Sequence, residues 1–122
     1  MADRRRVEVS AVSNTPEFRL GDVSAFQRDL LTAIGLLEQD DETPTTRGMI
    51  DILDPYYSES ITRGRLSRNL DDLSRRDMID VEPVDGRTNA YFLTDTGRSM
   101  LRRSVELRLG ALEDVEANGQ NA

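Results

Sequence analysis

The chain has 122 residues, enough for one domain with tails. All sixteen basic residues are arginine, against twenty-three acids, for a net charge of −7. Cysteine and histidine are absent, which excludes disulfides, thiolate nucleophiles, the usual zinc sites and histidine acid–base catalysis. No carboxylates fall at the spacing of a metal loop or a catalytic pair, so the expectation is a non-enzyme without metal or cofactor. No apolar run approaches a membrane span and the first residues form no apolar signal segment, which predicts a soluble cytoplasmic protein without a membrane partner. An acid excess without lysine resembles proteins that work in molar salt. Codon bias in a GC-rich genome also favours arginine over lysine, but it does not account for the acids.

In chain order, residues 1–20 show no periodicity and contain Asn14, Thr15 and Pro16, so they read as a flexible arm, with a short strand at Val7–Val12 as an option. The run Arg4-Arg5-Arg6 suits DNA phosphates or a minor groove, although such runs more often belong to a solvated tail. At Ser24 to Gln27 the order Ser-Ala-Phe-Gln fits a capping box. Phe26, Leu30, Ile34 and Leu37 then repeat on one face, predicting a core helix to about Gln39. Thr43 and Pro44 predict the cap and first residue of a second helix, with Met49, Ile50 and Leu53 inward and Pro55 as its stop. Tyr56 to Glu59 connect it to the next element.

Ser60–Met78 reads as a third helix. Leu66, Leu70 and Leu73 recur at i, i+4, i+7 and must face a core. Its other side carries Arg63, Arg65, Ser67, Arg68 and Asn69, all in the first half. Arginine and asparagine can contact guanine and adenine edges bidentately, so this front suits a major groove, and a solvated amphipathic helix is the plainer reading. The net acidity argues against non-specific nucleic-acid binding, but charge is unevenly distributed, so the total does not decide between the two. Residues 28–57 hold two arginines against seven acids, whereas residues 60–70 hold three arginines and no acid.

After Met78 the period changes to two. Ile79 and Val81 alternate with Asp80 and Glu82, Asp85-Gly86 offers a turn, and Asn89–Thr94 returns as a second strand. Helix–helix–helix–hairpin is the order of a winged helix-turn-helix, with Arg87 at the wing tip. Thr94-Asp95 caps a last helix, predicted from Thr96 to Ala117. It carries one stripe of Leu101, Val105, Leu109 and Leu112, and another of Met100, Leu107, Ala111 and Val115. A chain this short cannot bury both, so one marks a partner surface. The expected division is therefore an arm at 1–20, a DNA-binding domain at 21–95, a dimerisation helix at 96–117 and a polar tail at 118–122, in a mainly α (α+β) fold.

The run Gly64-Arg65-Leu66-Ser67-Arg68-Asn69-Leu70, then Met78-Ile79, then Gly86-Arg87-Thr88-Asn89-Ala90-Tyr91-Phe92-Leu93-Thr94-Asp95-Thr96-Gly97-Arg98, resembles PadR-like transcriptional regulators over roughly residues 26–112. The acidic, lysine-free composition looks like their haloarchaeal branch. The resemblance implies a homodimer joined through the last helix, two winged helices on a pseudo-palindromic double-stranded site, and a link to oxidative stress. Thr46, Arg47, Thr62, Arg63, Arg65, Ser67, Arg68, Asn69, Arg87, Thr88 and Asn89 are the expected DNA contacts. Met100, Leu101, Val105, Leu109 and Leu112 are the expected dimer seam. Two positions depart from the family pattern: Ser67-Arg68 stands where an aromatic–proline pair is usual, and Asp77 where glycine is usual. Some relatives hold flat ligands between tryptophans, which this chain lacks. A ligand-sensing regulator and a winged helix used as a protein–protein module are the alternatives.

Overall fold

The computed structural model describes residues 19–121, with side chains as far as residue 113. The Arg4–Arg6 run and the Val7–Val12 stretch lie outside the described residues. After a 3-10 turn at Leu20–Asp22, the order is α1 (Ala25–Gln39), α2 (Thr46–Leu53), a 3-10 turn at Asp54–Tyr56, α3 (Arg63–Arg75), β1 (Ile79–Pro83), β2 (Asn89–Leu93) and α4 (Asp95–Asn121). Three helices and an antiparallel hairpin make the winged helix-turn-helix that the order of patterns predicts.

The capping box at α1 forms as read. Ser24 Oγ accepts the Gln27 amide and Gln27 Oε1 accepts the Ser24 amide, both at 3.1 Å. α2 begins two residues later than expected, at Thr46, with Thr45 as its cap. Proline 44 is instead buried outside the helix, and its carbonyl accepts the Tyr91 amide at 2.9 Å. That bond ties the α1–α2 loop to the edge of β2, and a helical Pro44 would lose it. α2 ends at Leu53, before Pro55 as expected, and Asp54–Tyr56 follow as a 3-10 turn. α3 is shorter than Ser60–Met78 at both ends, because Thr62 caps it and its chain turns at Asp77, φ 61°.

Leu66, Leu70 and Leu73 are buried against Leu30, Leu31 and Ile34 of α1, Met49 of α2 and Met78 and Ile79 at the start of the hairpin. Burying each such side chain stabilises the fold by about 1.5–3 kcal/mol. β1 and β2 pair in the register Ile79↔Leu93 to Pro83↔Asn89. Only Ile79 of β1 is buried, so the strand projects from the body.

α4 crosses the base of this hairpin. A side-chain carbon at Gly97 would collide with the Met78 carbonyl oxygen, so only glycine permits the close approach. That approach drives Met100 into the core, where it is fully buried. Its assignment to a dimer seam is therefore corrected. Leu101 is half-buried and packs on the core as well. Val105, Leu107, Leu109 and Leu112 are exposed, at 58, 64, 48 and 60 %. The backbone stays helical past Ala117 to Asn121, so the expected tail is largely a continuation of α4. No helix among the described residues is long and apolar enough to cross a membrane.

Candidate nucleic-acid interface

Three element starts converge on one side of the body, and each is fixed by a local hydrogen bond. Thr45 Oγ1 accepts the Gly48 amide at 3.2 Å and so orients Thr46 and Arg47 at the first turn of α2. Thr62 Oγ1 accepts the Arg65 amide at 3.1 Å and starts α3 with Arg63 outward. At the wing tip Asp85 Oδ1 accepts the amides of Arg87 and Thr88 at 2.8 and 2.9 Å. These bonds hold the Asp85 carboxyl below its ordinary range. Threonine and aspartate suit these places because their short side chains reach amides two or three residues ahead.

The three starts enclose a cleft of about 720 Å³ lined by Thr46, Arg47, Arg63, Leu66, Ser67, Leu70, Arg87, Thr88, Asn89 and Tyr91. No acid lines it, in a chain where acids outnumber arginines. Arg47, Arg63, Arg68 and Arg87 have no carboxylate partner among the described residues. They are positioned to receive an external anion.

The expected single front on α3 is in fact two flanks. Successive residues turn by 100°, which places Arg63 and Ser67 on the flank facing the wing and Arg68 toward solvent. Arg65 and Asn69 fall on the opposite flank, toward α1. The Arg65 guanidinium carbon lies 3.9 Å from the centre of the Phe26 ring and 5.8 Å from that of Tyr57. Asn69 accepts from Gln27 Nε2 at 3.1 Å and donates to the Arg65 carbonyl at 2.7 Å. In sequence Gln27 is only a capping partner and Tyr57 only a connector. Both carry a second role, since Gln27 also donates to Asp72 at 2.9 Å and the Tyr57 hydroxyl donates to Asp29. Among the described residues no group of three acids, cysteines or histidines is placed to hold a metal.

No protein-family model matches the chain, and no curated protein does either. Solved structures do. RosR of H. salinarum superposes with a TM-score of 0.66 at 31% identity, over 82% of this chain and 93% of that one. The chain belongs to the RosR family of winged-helix transcriptional regulators. Membership agrees with the haloarchaeal resemblance carried by the α3 and wing residues. Two more distant structures share the fold of the RosR family. The PcaV transcriptional regulator of Streptomyces coelicolor, solved with its natural ligand, matches at a TM-score of 0.56 and 21% identity, over 80% of this chain and 62% of that one. The MepR–DNA complex of S. aureus matches at 0.53 and 20%, over 83% and 77%.

Proposed function

We propose that this chain is a soluble, cytoplasmic, homodimeric transcription regulator that reads a pseudo-palindromic double-stranded DNA site and is adapted to high salt. The observation that carries the reading is the acid-free cleft in which the starts of α2 and α3 meet the wing tip, rimmed by arginines without carboxylate partners among the described residues. Arg63, Ser67 and Arg68 are assigned to base edges, and Thr46, Arg47, Arg87, Thr88 and Asn89 to phosphates. Phosphate contacts fix register, and edge contacts supply specificity. α4 is assigned as the dimer seam, because its outward stripe of Val105, Leu109 and Leu112, continuing from half-buried Leu101, is left exposed by the described residues. The exposed apolar area has a use if a second copy covers it.

The test is a selection from a duplex library with a random centre, using the full chain in molar KCl. Enrichment of a two-fold repeat is expected. Arg47→Ala with Arg87→Ala should weaken binding to all duplexes alike, and enrichment of no sequence would refute DNA reading. Leu109→Glu with Leu112→Glu should yield monomers by sedimentation, because it puts charge into an apolar seam. A double variant that stays dimeric at micromolar concentration would place the seam elsewhere.

A further inference from the structure

The inner flank of α3 is already engaged by the protein. The Arg65 guanidinium carbon sits over the Phe26 ring, which is 5% exposed and meets Tyr57 edge to face at 5.8 Å and 81°. Tyr57 is tethered in turn by its hydroxyl to Asp29 of α1. The ring pair is therefore fixed from beneath. A guanidinium that left it for a base edge would give up an attraction to the ring face. Asn69 is engaged at both ends of its amide. Its oxygen accepts from Gln27 and its nitrogen donates to the Arg65 carbonyl. A bidentate adenine contact needs an oxygen lone pair and an amide hydrogen turned together toward the base, whereas here each end of the amide is already held to protein.

Gln27 closes the arrangement. It is 7% exposed, spends its oxygen on the Ser24 amide, and divides its nitrogen between Asn69 and Asp72. Asp72 also meets Arg76 Nε at 3.2 Å. A rotation of Asn69 outward would strip a buried amide of a partner, which is costly. By contrast Arg63, Ser67 and Arg68 make no side-chain hydrogen bond or ion pair among the described residues.

We propose that Arg65 and Asn69 are positioning residues that brace α3 on α1, and that the base-reading set of the helix is confined to Arg63, Ser67 and Arg68. The assignment rests on the DNA reading proposed above. It makes specificity the property of the wing-side flank and the solvent edge. The Arg65 and Asn69 flank sets the angle at which those side chains are offered.

The experiment compares base-preference profiles from the same duplex library for the full-length wild type, Arg65→Ala, Arg65→Lys, Asn69→Ala and Arg68→Ala. Arg65→Ala should lower affinity for every duplex by a common factor of about two to five, the range of an exposed cation–ring contact, with the preferred bases unchanged. Arg65→Lys should recover most of the loss, because an ammonium still sits over the ring although it lacks the planar fork. Asn69→Ala should likewise leave the profile unaltered. Arg68→Ala should relax preference at one base of each half-site by about tenfold. A changed base preference in Arg65→Ala or Asn69→Ala, or a lysine variant no better than alanine, would overturn the assignment while leaving DNA reading intact. A wild type that enriches no sequence would remove the DNA reading itself, and this inference with it.

Discussion

Glu38 on α1 and Arg98 on α4 meet at 2.6 Å, and the other oxygen of the same carboxylate accepts the Leu93 amide at 2.8 Å. One side chain thus joins the first helix, the end of the wing and the start of the last helix. The two bonds differ in worth. Arg98 is 48% exposed on its side chain, and an exposed pair contributes about 0–1 kcal/mol. The Leu93 amide is part-buried, and stranding it costs about 1–3 kcal/mol. Glu38→Ala should therefore lose about 2 kcal/mol in urea unfolding, while Glu38→Gln, which retains an acceptor, should lose under about 1. Equal losses would mean that the ion pair holds the corner.

The turns after α1 and α3 both place an aspartate at positive φ, Asp41 at 63° and Asp77 at 61°. In each, the next amide reaches back to close the helix end, Glu42 to the Leu37 carbonyl at 2.9 Å and Met78 to that of Leu73 at 3.0 Å. Glycine is the usual occupant because a side-chain carbon crowds this conformation. A carboxylate there also faces the negative end of the helix dipole. Asp77→Gly should raise stability by about 1 kcal/mol, seen as a higher urea midpoint with unchanged slope. A lower midpoint would show that the Asp77 side chain makes a compensating contact.

Tyr57 makes the protein sensitive to alkali. Burial, then the hydrogen bond to Asp29 and the charge of Asp29, push its phenol up from 10.0 to about 12. The protonated phenol is the form that the fold favours. Its contribution is thus fully present below pH 10, and is lost as pH rises from about 10 through about 12. Tyr57→Phe should flatten stability across that window. An unchanged decline in the variant would assign it to other groups.

Much of this was legible because it is local. The Leu66, Leu70 and Leu73 stripe, the Ser24–Gln27 box and the Asp85 turn depend on residues within a few positions of each other. The misplaced start of α2 has a distant cause. Thr43-Pro44 and Thr45-Thr46 are both plausible caps, and the choice falls to the Pro44 carbonyl, which Tyr91 needs 47 positions along the chain. Met100 and Leu101 sit on adjoining faces of one helix, and only the approach of Gly97 to Met78 decides which is buried deeper. The two roles of Gln27 are separated in the same way, a cap three residues away and bonds 42 and 45 residues away. No spacing rule can show the second set.

Salt should act on this protein in an unusual direction. Ordinary DNA-binding proteins release counterions and weaken steeply as salt rises. At ~1 M the screening length is about 3 Å, so contacts at hydrogen-bond distance persist and the planar fork of arginine keeps its geometric advantage. The acidic remainder of the surface should repel DNA when unscreened, and bringing DNA close then requires cations to be taken up. Affinity for a selected duplex should be flat or rise from moderate to molar KCl. Glu59→Gln and Asp71→Asn should restore a negative slope. A wild-type slope as steep and negative as that of an ordinary regulator would refute the salt adaptation.

α4 has 27 residues, a rod of about 40 Å at 1.5 Å per residue. It is seated where Gly97, Met100 and Ser104 are buried, and lies along α1 as far as Arg108, beside Ala25 and Arg28. Beyond Arg108 the helix runs on for roughly 20 Å, so a tilt of about 5° at the base would move the far end by about 2 Å. In the proposed dimer that displacement is transmitted to the separation of the two α3 helices, whose tolerance is set by the rise of about 3.4 Å per base pair along one strand. In that dimer the corner made by Gly97, Met78 and Glu38 would serve as a mechanical pivot, and its stiffness would set how closely two reading heads are held to one half-site spacing.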